Sequence, residues 1–101
     1  MTKATDPILQ GIRDELDSLD EQIVKLLVKR HAVAANCLKW KHDNNLPLHA
    51  PEREWRITQR AIRLAHELDF QEDDFIRAIY WLMLANPFKK YYAHHYWVET
   101  A

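Results

Sequence analysis

The chain has one glycine, one cysteine and one serine in 101 residues, and each shortage excludes something. With a single glycine there is no phosphate-cradling loop and no dinucleotide fingerprint, so a nucleotide cofactor is not expected. Sheet proteins also need glycine in their turns, and no segment alternates polar and apolar residues with a period of two. Cys37 is alone, which rules out an internal disulfide and leaves no cluster for a zinc site. Ser18, the lone serine, has no histidine and aspartate that fall with it on one face as a nucleophilic triad. Neither sign of charge is in excess: the formal net charge is -1, which gives no electrostatic case for nucleic acid or a membrane surface. No apolar run approaches bilayer length, and Met1 to Pro7 lacks the apolar core of a signal peptide, so a soluble cytoplasmic protein is expected.

What is present is helical. The expected fold is one all-α domain over residues 1–101, with a long first helix and two or three shorter ones. Leu9, Ile12, Leu16, Leu19, Ile23, Leu26, Arg30, Val33, Cys37 and Trp40 follow one another at alternating steps of three and four, an apolar seam with a near-heptad period. No proline interrupts the run from Ile8 to Lys41, which at 1.5 Å per residue would be roughly 50 Å long. A compact domain of this size is about 33 Å across. The helix therefore calls for a second chain, and an intertwined homodimer is predicted.

Asp6 suits the capping position of this helix and Pro7 its first turn, with the helix running to about Asp43. Asp14, Asp17, Glu21, Lys25 and Lys29 read as a solvated face on which Glu21 and Lys25 pair. Asn44 and Asn45 end the helix, and Pro47 and Pro51 bracket a short connection. A second helix from Pro51 to about Leu68 carries a wide apolar face, and a third opens between Gln71 and Asp74. Pro87 predicts a kink or break, with Asn86 able to cap a fresh start. Phe88, Tyr92 and Tyr96, with Tyr91 alongside, then form an aromatic stripe. Cys37 reads as a small buried apolar residue, and Trp40, Trp55, Trp81 and Trp97 as core or dimer contacts. His94 and His95 point about 100° apart on a helix and do not share a metal ion easily.

The cations of the first helix carry the chemistry. Arg30 takes a seam position where leucine is expected, and Lys41 stands eleven residues on, returning almost to the same face. Buried cations are costly unless paired, so such positions signal a bound anion or a satisfied ion pair, for which Glu54 is a candidate partner. Arg13 lies seventeen residues before Arg30, roughly 25 Å away along the helix, and reaches that region only from an antiparallel second copy.

Ile12-Arg13, Leu16-Asp17, Leu19-Asp20, Leu26-Leu27, Lys29-Arg30, Lys41, Leu46-Pro47 and Arg53-Glu54 together resemble the all-helical chorismate mutase family, over about Ile8 to Met83. The resemblance implies conversion of chorismate to prephenate, a step of the shikimate pathway to the aromatic amino acids, with no cofactor and no metal. Its substrate is a small dianion rearranged in one pericyclic step, for which fixed cations serve and no nucleophile is needed. By the same resemblance Arg30 and the second copy's Arg13 grip the carboxylates, Lys41 donates to the ether oxygen, Arg53 orders the loop and the carboxylate side, and Glu54 accepts from the ring hydroxyl. The sequence departs from the family at Ala50, where an aspartate is frequent, and at Pro87, where serine is usual. Tyr91 stands in place of a glutamine or glutamate that faces the ether oxygen; its hydroxyl can donate the same hydrogen bond, or its ring can fill the pocket. The run His49-Ala50-Pro51-Glu52-Arg53 also resembles isochorismate pyruvate lyases, which usually lack the acid after that arginine. A lyase, an amino-deoxychorismate mutase on the same fold and a non-catalytic dimeric binding module are the alternatives.

Overall fold

The structure is a computed structural model that describes residues 6–93, all of whose regular elements are helical. They are α1 (Pro7–Asp43), α2 (Pro51–Glu67), α3 (Asp73–Ala85), a 3-10 turn (Asn86–Phe88) and α4 (Lys89–Ala93). The chain divides into two compact units, Met1–Arg30 and His31–Ala101, and α1 contributes to both.

Asp6 starts α1 as its residue type predicts: its Oδ1 accepts the Ile8 N–H at 2.8 Å. Glu21 and Lys25 pair at 3.1 Å on the solvated face. In the first unit Ile12, Leu16 and Ile23 of the seam are each more than half exposed, while Leu9 and Arg30 are half-buried.

In the second unit the helix turns a different stripe inward. Leu38 is buried and Ala34 and Lys41 are half-buried, whereas Val33, Cys37 and Trp40 of the seam are exposed. Cys37 is thus not the buried residue the sequence suggests: Leu38, one step and about 100° round the helix, takes the inward place. Trp40, Trp55 and Trp81 are also exposed, at 61%, 64% and 50%, so they are not core of a single chain.

Both α1 and α2 end in the same way. Asn45 adopts a left-handed conformation (φ 57°), and the Asn45 and Leu46 N–H groups bond back to the carbonyls of His42 and Lys41. Asp69 (φ 60°) and Phe70 repeat the pattern onto His66 and Ala65. This is the left-handed stop usually given to glycine, made here with asparagine and aspartate, whose short polar side chains tolerate it. His66 of the last turn of α2 reaches Asp73 of the first turn of α3 at 2.6 Å, tying the ends of a helical hairpin. Ile62 and Ala65 of α2 and Ala85 of α3 are buried, as are Pro87 and Phe88 of the turn, while Leu64 and Leu68 of the expected apolar face stay exposed.

Pro87 breaks the helix as its missing donor requires, but Asn86 does not cap a new start. Asn86 has right-handed helical angles, and its side-chain amide instead meets His31 Nδ1 at 3.2 Å. Tyr96, Trp97 and the His94-His95 pair lie outside the described residues, as do residues 1–5. Among the described residues no helix is long and apolar enough to cross a membrane.

Candidate active site

The connection between α1 and α2 organises the polar residues of the second unit. The left-handed stop at Asn45 turns the chain back, and Lys41 Nζ donates to the Leu48 carbonyl at 3.3 Å. Two residues later the Ala50 N–H donates to Glu54 Oε2 at 3.0 Å, satisfying a donor at the start of α2. His49 Nδ1 stands 3.6 Å from the same oxygen. The His49 ring lies flat on Phe88, with centroids 4.1 Å apart and planes 4° from parallel. The loop thus holds a cation and an acid that are thirteen residues apart in sequence.

Of the other predicted residues, Arg53 is exposed in the first turn and a half of α2. The Tyr91 ring lies beside His42, at 5.5 Å between centroids and tilted by 33°. Close by, Lys39 donates to Asp43 at 2.7 Å, and that bond holds the lysine pKa above its ordinary value and the aspartate pKa below. Arg13 and Arg30 belong to the first unit, where Arg13 is exposed and Arg30 half-buried. Among the lysines and arginines of α1, Arg30 and Lys41 are the two that are half-buried. Half-burial of a long cationic side chain covers its aliphatic stem, and the Lys41 head finds the Leu48 carbonyl.

A cleft of about 350 Å³ between α2 and α3 is lined by Glu54, Trp55, Arg77, Trp81 and Phe88 among others. A second groove, of about 590 Å³, runs along one side of α2 past Arg53, Arg56, Arg60 and Arg63. The first brings Glu54 to a concave surface that includes the rings of Trp55, Trp81 and Phe88, whereas the second is the face of a single helix. In the sequence His49 belongs to the run at residues 49–53 and Phe88 to the aromatic stripe after Pro87, and neither position signals the ring contact between them.

Residues 12–89 match the chorismate mutase type II family. The chain belongs to the chorismate mutase type II family. Among its relatives is the bifunctional chorismate mutase/prephenate dehydratase of Aquifex aeolicus, 40% identical over 60 residues, which are 59% of this chain and 17% of the relative. The T-protein of Haemophilus influenzae is 41% identical over 51 residues, 50% of this chain and 14% of the relative. The chorismate mutase of Methanocaldococcus jannaschii is 32% identical over 65 residues, 64% of this chain and 66% of the relative. The matched part of this chorismate mutase-family chain is thus a small fraction of the first two relatives and just under two thirds of the third. No solved structure matches it significantly.

Proposed function

We propose that the chain is a single chorismate mutase domain that converts chorismate to prephenate. In this reaction the ether C–O bond breaks as a C–C bond forms, electrons move round one ring, and no proton is transferred. Negative charge grows on the ether oxygen, so a fixed donor there lowers the barrier. Lys41 is that donor. Its ammonium rests on the Leu48 carbonyl at 3.3 Å, a long bond that it can exchange for the ether oxygen as negative charge develops there. Arg30 and Arg13 of a second copy grip the two carboxylates, since planar guanidinium forks match carboxylates in pairs. Arg53 stands by the carboxylate side, and Glu54 accepts from the ring hydroxyl, which fixes the compact conformer. The Tyr91 hydroxyl supplies the second donor to the ether oxygen.

The observation that supports the reading is that one loop bonds to both Lys41, through the Leu48 carbonyl, and Glu54, through the Ala50 N–H, in a chain of this family. The acid after Arg53, with two relatives named for mutase activity, favours rearrangement over pyruvate elimination. The homodimer is part of the same proposal. An apolar seam left more than half exposed at Ile12, Leu16 and Ile23, and continued by Val33 and Trp40, is a surface that a second copy buries. The test is to follow the ultraviolet absorbance of chorismate and of isochorismate with purified protein. Loss of chorismate with formation of prephenate supports the proposal, and consumption of isochorismate alone, or of neither, overturns it.

A further inference from the structure

We propose that His49 is a positioning residue for Glu54, an assignment that rests on the chorismate reading. Three consecutive loop residues each hold a member of the site. The Leu48 carbonyl takes Lys41 Nζ at 3.3 Å, the Ala50 N–H gives to Glu54 Oε2 at 3.0 Å, and between them the His49 imidazole faces that same carboxylate oxygen. The His49–Glu54 separation of 3.6 Å is too long for a hydrogen bond but within reach of a charge interaction. Either a protonated ring or its Nδ1-protonated neutral form presents a hydrogen on the side of Oε2.

The ring is not free to swing away. It is stacked on Phe88, which is 7% exposed and is held in the 3-10 turn that leads into α4 and Tyr91. A flat aromatic contact of this kind fixes the imidazole plane, and the imidazole in turn fixes the carboxylate before any ligand arrives. An acceptor already in place loses less freedom when it meets the ring hydroxyl, so the gain falls on substrate binding. His49 itself touches none of the reacting atoms in this scheme. It also joins the loop to the 3-10 turn through Phe88.

His49→Phe keeps a ring for Phe88 and removes the nitrogen that faces Glu54. With chorismate as substrate, KM should rise about fivefold with kcat within about twofold of wild type, since a contact of this kind is worth about that ratio. The thermal midpoint should not move. In a Glu54→Gln background the same substitution should leave KM where Glu54→Gln alone puts it, because the group it positions is already altered. A merely structural histidine would lower the midpoint and add its loss in both backgrounds. Wild-type turnover with an unchanged KM in His49→Phe overturns this assignment alone, as does an equal extra loss in the Glu54→Gln background. Absence of wild-type turnover overturns the chorismate reading and the assignment with it.

Discussion

Lys41 and Glu54 are held by one loop in opposite senses, the cation on a carbonyl and the acid on an N–H. Each therefore has its charge partly answered by backbone dipoles while it waits for a ligand. Replacing Lys41 by alanine removes the proposed donor to the ether oxygen and should lower kcat by about a hundredfold or more. Far-ultraviolet circular dichroism should show the helices intact, because the residue is only half-buried. A variant of undiminished kcat would remove Lys41 from the mechanism. Tyr91 poses a narrower question, since its ring lies beside His42. Tyr91→Phe keeps that ring contact and deletes the hydroxyl. A donating hydroxyl predicts a loss of about tenfold in kcat, on the scale of one hydrogen bond strengthened in the transition state. An unchanged rate would leave the side chain as filling alone.

At the scale of elements, the shortage of glycine reappears as backbone geometry. Asp69 holds a left-handed angle that costs a side-chain-bearing residue roughly 1 kcal/mol. Asp69→Gly should therefore stabilise the protein by up to about 1 kcal/mol in urea unfolding, with no change in activity. Destabilisation would mean that the aspartate contributes more than its conformation costs. The ends of the helices were legible in the sequence because their causes are local: Asp6 and Pro7 begin α1, Asn45 stops it, Pro51 begins α2 and Pro87 interrupts the last run. The long period of α1 was legible for the same reason. What escaped was how that helix divides its circumference. Leu38 and Lys41 turn inward in the second unit, while Val33, Cys37 and Trp40 turn outward, and a single averaged seam cannot display two faces 100° apart. The partners of Asn86 and His49 escaped too. Each is met by a ring distant in sequence, at His31 and Phe88, and no local propensity encodes such a meeting.

For the whole molecule, the proposed sharing of the pocket between two copies makes a quantitative prediction. Arg13→Ala and Arg30→Ala should each be nearly inactive alone. After subunit exchange of an equal mixture, half of the dimers are hybrids with one intact site of two, so activity should return to about a quarter of wild type. Sedimentation with distinguishable tags establishes the exchange, and no recovery after it would exclude a site built from two copies. The buried apolar side chains of the described residues are Leu38, Ile62, Ala65, Ala85, Pro87 and Phe88, a small set beside the row of leucines and isoleucines left in water along the first helix. If the proposed dimer forms, such a fold would draw much of its stability from association, and its unfolding midpoint should then rise with protein concentration. Thinning the solution acts on such a molecule as urea does on others: at low enough expression, chains that never meet would be lost to proteolysis before they had acted on anything.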